Sequence, residues 1–342
     1  MIIIATNRNP IDGGPVPFGE TFNPLGPSEL RFACAERLTE NSAIEFDIIQ
    51  EINGDTSLPP SQVLFSNLVA DIRAKKRGDK WLLYIHGYNN SFLESVNSAF
   101  SLVETYRQNK KNSDLEDINV ILFTWPADPG GSIPVLVEPV NSYRKIQRAA
   151  EISAVAFERL IERLGIYFVQ PAVLDSSNEL TKFRFNSIFH SMGSYVLENY
   201  IRSALPSHLQ LIFNTLILHQ SDVSLQDHPE WVDRINLAKN IYITINQWDK
   251  VLRISDVINS ERLGTAQTGL NAHKPTYFDF SGSKNIGSSH NIFLGIEGNQ
   301  IIRLLCHRLL VGYAYPLAGL EGSGAFAYDR KSNTWQLAHD QK

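Results

Sequence analysis

Cysteine is scarce in this chain: of 342 residues, only Cys34 and Cys306 are cysteines. Two thiols so far apart exclude a disulfide framework and a multi-cysteine zinc centre, and leave at most one remote disulfide. Long apolar runs are also missing, since no window approaches the ~20 residues that a membrane helix needs. The opening segment Met1-Ile2-Ile3-Ile4-Ala5-Thr6-Asn7-Arg8 has no basic region ahead of its short apolar stretch, so no secretory leader is expected. These features together predict a cytoplasmic protein without a membrane span. Positive charge is not in excess either, with Lys plus Arg at 31, Asp plus Glu at 36 and a net charge of −5. That balance gives no electrostatic reason to expect a nucleic-acid or anionic-membrane partner. Repeats and low-complexity tracts are absent as well. What remains is a composition of 43% hydrophobic and 20% charged residues, which excludes wholesale disorder.

Turn chemistry concentrates in the first sixty residues, at Asn9-Pro10, Asp12-Gly13-Gly14-Pro15, Gly26-Pro27 and Pro59-Pro60. Loops and edge strands are expected there, including short strands over 2–5 and 43–52. From residue 61 the pattern changes to apolar, β-rich runs alternating with helical periodicity. Strands are predicted at 81–85, 119–124, 185–189, 215–219, 241–245 and 276–280. Helices are predicted at 62–76, 92–110, 142–164, 194–204, 230–237 and 301–311. Near-continuous apolar strands separated by amphipathic helices make a mostly parallel, doubly wound α/β sheet covered on both faces. The expected organisation is one domain over 1–342: an N-terminal strand and loop extension (1–60), a core (61–311) and a C-terminal extension (312–342).

In such sheets the reacting groups sit beyond the carboxyl ends of the strands. The strand 185–189 runs straight into His190-Ser191-Met192-Gly193-Ser194 and then a helix. A serine on a sharp strand-to-helix turn is a nucleophile elbow, and the helix start supplies a partial positive charge and a free N–H. Gly193 stands two residues after Ser191. Two residues before it, where a small residue is usual, stands Phe189; the plain alternative is an ordinary helix start.

Upstream, Trp81 to Ile85 ends in His86-Gly87-Tyr88-Asn89. Glycine allows the backbone to turn so that the next N–H, that of Tyr88, can face a reacting carbonyl, with Met192 N–H as the second donor. A serine nucleophile also needs a base, and the base needs an acid. Asp249 follows the strand 241–245, and Asp222, after 215–219, is the alternative acid. Among nine histidines, His208, His219 and His228 precede Asp249, and His273, His290, His307 and His339 follow it. His290, on the loop after the last core strand, is the preferred base. His273 is the fallback, and His307 falls in an apolar helix pattern.

The ordered set Ala5-Thr6-Asn7-Arg8, His86-Gly87-Tyr88-Asn89, Phe123-Thr124-Trp125-Pro126, His190-Ser191-Met192-Gly193, Asn246 to Asp249 and Ser289-His290-Asn291 resembles a bacterial group of α/β-hydrolases. That group is esterase- and lipase-like and was long catalogued as a domain of unknown function. The resemblance implies an α/β-hydrolase fold and serine-hydrolase roles for Ser191, Asp249 and His290. Supporting positions are His86, Gly87 and Gly193, with Tyr88 and Met192 at the oxyanion. Phe189 and Asn291 depart from the pattern. The expected activity is cleavage of a small-molecule ester or related acyl bond, with no metal or cofactor. The alternative is a non-catalytic module of the same fold that binds a ligand or partner. The apolar stretch 128–137 is read as either a cap over the site or a surface loop.

Overall fold

The computed structural model describes residues 1–39, 42–49, 60–74, 76–107, 118–127, 139–169, 184–205, 210–295, 299–313 and 317–338. The stretch 128–137 and the histidines at 208 and 339 lie outside them. The chain divides into two compact units, residues 1–84 with 88–185, and residues 85–87 with 186–342.

The first unit holds β1 (Ile2–Thr6), β2 (Arg8–Pro10), β3 (Phe18–Phe22), β4 (Arg31–Glu36), β5 (Glu45–Ile49), most of β6 (Lys80–Ile85) and β7 (Asn119–Thr124). Its helices are α1 (Pro60–Arg73), α2 (Phe92–Arg107) and α3 (Pro139–Leu164). The strands follow the order β6-β7-β1-β4-β5, and β2 and β3 form a separate ribbon. β1 pairs in parallel with β7 and antiparallel with β4, so it lies inside this sheet and not at its edge. All five of its residues are buried, as the unbroken run Ile2-Ile3-Ile4-Ala5 requires of a strand covered on both faces. The edge strand expected near 43–52 is β5.

Continuing from β1, Arg8 is fully buried and makes several polar contacts. Its guanidinium donates to Thr124 Oγ1 (3.0 Å), the Gly19 carbonyl (3.2 Å) and the Asn90 carbonyl (2.9 Å), and it pairs with Glu20. Glu20 in turn accepts from the Phe92 N–H at 2.8 Å. The motifs around Arg8, Thr124 and Asn90, which are far apart in the sequence, form one buried network that fixes the turn after Tyr88.

The second unit holds most of β8 (Arg184–His190), then α4 (Gly193–Ser203), β9 (Phe213–His219), α5 (His228–Val232), β10 (Ala238–Ile245), α6 (Lys250–Ile258), β11 (Pro275–Asp279), α7 (Ile292–Gly295), α8 (Gln300–Leu310), β12 (Phe326–Asp329) and β13 (Thr334–Leu337). The pairs β8–β9, β9–β10, β10–β11 and β11–β13 are parallel, with helices as the crossovers between successive core strands. Register aligns the strand ends: His190 pairs with His219, His219 with Thr244, and Ile245 with Asp279. The carboxyl ends of four strands are therefore level at one edge.

The expected strands and most helices are present within one to three residues at each end. The helix α6 follows Asp249 where no element is predicted, and the C-terminal residues add the antiparallel hairpin β12–β13 to the sheet. Neither cysteine is in a disulfide; Cys34 lies in β4 and Cys306 is buried in α8.

Candidate active site

Ser191 occupies the turn between β8 and α4 at φ +53°, in the left-handed region. A non-glycine residue there is strained by roughly 1–3 kcal/mol and persists only where its surroundings enforce it. Three hydrogen bonds do so. The Ser191 N–H donates to the His219 carbonyl (3.0 Å), and the Ser191 carbonyl accepts from the N–H groups of Ser194 (3.0 Å) and Asp222 (3.2 Å).

The elbow also depends on two glycines. A β-carbon on Gly193 would stand 2.7 Å from the His86 carbonyl oxygen and 2.8 Å from that of Ile85. One on Gly87 would stand 2.7 Å from Ser191 Cβ and 3.2 Å from its Oγ. No side chain fits at either approach. Phe189 is accommodated as a buried strand residue in register with Leu218, and its carbonyl accepts from Ser194 Oγ at 3.2 Å. The close contact with the strand end at 85–86 is made by Gly193.

Asp249 is fully buried at the N-terminus of α6. Its Oδ1 accepts from the N–H groups of Val251 (2.9 Å) and Leu252 (3.1 Å), a helix cap that also sets the carboxylate against the positive end of the helix dipole. Its Oδ2 accepts from His290 Nδ1 at 2.7 Å. A carboxylate has no proton to give, so this contact fixes the imidazole with hydrogen on Nδ1 and a lone pair on Nε2.

The His290 carbonyl accepts from His190 Nε2 at 2.9 Å, with ring centroids 4.8 Å apart, so the base lies against the residue preceding Ser191. Among the described residues Ser191 Oγ makes no hydrogen bond. Burial, reinforced by the neighbouring His290, pushes the His190 imidazole down to about 3. His219, stacked on His190 at 5.4 Å, is also held well below its ordinary value by burial and by both neighbouring histidines. Both rings are thus neutral neighbours of the base.

The other candidates go elsewhere. Asp222 pairs with Arg262 Nε at 3.2 Å and accepts from Ser255 Oγ at 2.7 Å, so its carboxylate is committed away from His290. His273 is exposed and faces Asp233 at 2.9 Å. His307 is buried in α8. His86 is fully buried, with Nδ1 donating to the Gly87 carbonyl at 2.9 Å. None of the elbow's hydrogen bonds uses the Met192 N–H.

Two residues to which sequence reasoning gave no role of their own stand at the same edge. Asn246 Nδ2 donates to the carbonyls of Gly287 (3.1 Å) and Ser289 (2.9 Å), and Gln220 contacts Asp249 directly. Each directly follows a core strand, at 219 and at 245, and that position was the available signal. Among the described residues no group of three or more His, Cys, Asp or Glu side chains is placed to hold a metal ion, and no helix is long and apolar enough to cross a membrane.

A mostly parallel sheet flanked by helices, with a serine on a strained strand-to-helix turn, defines an α/β-hydrolase. The chain belongs to the family described as alpha/beta hydrolase of unknown function (DUF900), which it matches over residues 64–276. That membership points to hydrolase activity on a small-molecule substrate. No curated protein matches the chain.

Proposed function

We propose that the protein is a serine hydrolase that cleaves a carboxylic ester, or a related acyl bond, through an acyl-serine intermediate. The observation that carries this reading is the 2.7 Å contact between Asp249 Oδ2 and His290 Nδ1, at the sheet edge where Ser191 sits on its strained turn. In the first half-reaction Ser191 Oγ attacks the acyl carbon as His290 Nε2 takes its proton. The C–O bond to the leaving group then breaks, and the imidazolium returns the proton to the departing alkoxide. Asp249 holds the tautomer and stabilises the charged ring. The N–H groups of Met192 and Tyr88 receive the oxyanion, a contribution of about 3 kcal/mol for each donor removed. Water, activated by the same imidazole, releases the acid.

No step of this reaction calls for a cofactor. That neither Cys34 nor Cys306 is in a disulfide supports a reducing compartment such as the cytoplasm for this activity. Activity on a p-nitrophenyl ester and rapid labelling by a fluorophosphonate, both lost in Ser191→Ala, are the expected results.

The rival reading is a non-catalytic ligand- or partner-binding module, and the feature that favours it is the lack of a hydrogen bond to Ser191 Oγ among the described residues. Catalytic hydrogen bonds often close only on substrate binding. The same labelling experiment separates the two, because a serine that is not activated stays unlabelled.

A further inference from the structure

Gln220 follows β9 directly and is fully buried, with φ at +43°. Its side-chain amide makes three hydrogen bonds. Nε2 donates to Asp249 Oδ2 (2.6 Å) and to the Ser289 carbonyl (2.6 Å), and Oε1 accepts from the Ile292 N–H (3.1 Å). Two acceptors face one end of the amide and one donor faces the other, so its partners fix its orientation. Asp249 Oδ2 is the oxygen that also accepts from His290, and Ser289 and Ile292 flank His290 in the chain. One neutral amide therefore bridges the acid and both sides of the loop that carries the base.

The backbone is arranged to allow this. The Gln220 N–H donates to the Thr244 carbonyl at 3.1 Å, which keeps the residue in line with the end of β10. Gly264 approaches so closely that a β-carbon there would lie 2.5 Å from the Gln220 carbonyl carbon. A left-handed glutamine with no turn chemistry of its own is held by tertiary contacts, and such strain concentrates at functional sites. The loop between β11 and α7 is long, and Asn246 and Gln220 both donate to its Ser289 carbonyl. Pinning removes rotational freedom before substrate arrives, which is how a positioning residue contributes to rate.

We propose that Gln220 is a positioning residue of the acid–base pair: it fixes the rotamer of the Asp249 carboxylate and clamps the His290 loop onto it, so that Nδ1 stays protonated and Nε2 is kept for Ser191. The proposal rests on the serine-hydrolase reading. Its rival is a purely structural amide that satisfies buried polar groups. The two differ in whether the effect passes through Asp249.

The test uses the full chain carrying Gln220→Met, Gln220→Glu, Asp249→Asn, and Gln220→Met combined with Asp249→Asn. The readouts are p-nitrophenyl butyrate turnover from pH 5 to 9, the rate of fluorophosphonate labelling, and thermal melting. Gln220→Met is expected to lower kcat and the labelling rate about ten- to a hundredfold with KM within about threefold, the size of loss that a slightly misplaced group produces. In the Asp249→Asn background the same change should cost less than about threefold, because the pair it serves is already broken.

Gln220→Glu can donate to Asp249 only while its own carboxyl is protonated. Among the described residues, the titratable groups at that position are Asp249, which accepts from Gln220, and His290, which donates to Asp249, while Asp222 is turned to Arg262. Relative to the unaltered protein at the same pH, its activity should therefore be closest at the acid end and fall away as pH rises. A Gln220→Met protein with unchanged kcat and pH profile overturns the proposal, as does an equal loss in both backgrounds. If Gln220→Met does not fold, a Gln220→Glu profile parallel to the unaltered one overturns it. Failure of the underlying reading is distinct: turnover and labelling would then ignore Ser191→Ala, whereas failure of this proposal alone leaves both dependent on Ser191 and indifferent to Gln220.

Discussion

Gly193 and His86 approach so closely that a β-carbon on the glycine would stand 2.7 Å from the histidine's carbonyl oxygen. Backbone, not a flexible side chain, blocks the added atom, so the turn itself must move. Gly193→Ala is expected to lower stability by about 1–3 kcal/mol, as overpacking does, and to slow labelling of Ser191 at least tenfold. Denaturant unfolding and the labelling rate check this. An alanine protein with unaltered labelling would mean that the approach is not needed for an active elbow.

The two acids should separate by phenotype. Asp249→Asn keeps the size of the side chain but no longer fixes the imidazole tautomer, and kcat is expected to fall by about 10³- to 10⁴-fold. Asp222→Asn should leave kcat within about fivefold. It removes the charge opposite Arg262, whose side chain is only 4% exposed, and should reduce stability by about 3 kcal/mol. Turnover and urea melts on the two variants decide the matter, and the reverse pattern would move the acid to Asp222.

Stability should decline on the acid side of neutrality. His190, pushed down to about 3, and His219, also lowered, remain neutral when folded, whereas in the unfolded chain each takes a proton below about pH 6.5. The unfolded state therefore binds more protons as pH falls, and stability that is complete above pH 6.5 is lost between there and about pH 3 for His190. The slope is at most about 1.4 kcal/mol per pH unit for each histidine. His190→Gln keeps a donor for the His290 carbonyl and should flatten the decline of melting stability between pH 6.5 and 4.5; an unchanged slope would show that His190 is not responsible.

In the first unit, Arg8 is fully buried while its partner Glu20 retains 32% exposure. Arg8→Met replaces it with a side chain that cannot donate to Thr124, Gly19 or Asn90. A loss of about 3 kcal/mol in unfolding free energy is expected, because one partner of a buried network is removed and the others stay behind. A chemical denaturation curve within about 0.5 kcal/mol of the unaltered protein's would contradict it.

The sequence alone determined the sheet class and the order of its strands and helices, because apolar runs near 81–85, 119–124, 185–189, 215–219 and 241–245 cannot be solvated on either face and must be covered by the helices between them. It also indicated that Ser191, Asp249 and His290 follow strand ends, since a turn after a buried strand is visible in residue types. It could not show that β1 lies inside its sheet, because which strands become neighbours depends on pairing over more than a hundred residues. α6 escaped notice because its nine residues are fewer than the span over which helical periodicity is read, and its N-terminus is set by the Asp249 carboxylate capping two N–H groups.

Tertiary structure alone decided the roles of the polar groups. Asp222 and Asp249 look alike in sequence, each close behind a strand; the register of β8, β9 and β10 turns one to Arg262 and brings the other to His290. For Gln220 the sequence offers only a place directly after a strand, because an amide becomes a clamp only when acceptors 29 and 69 residues away converge on it. Residue type states what a group can donate or accept. Only the fold states which partner stands within 3 Å.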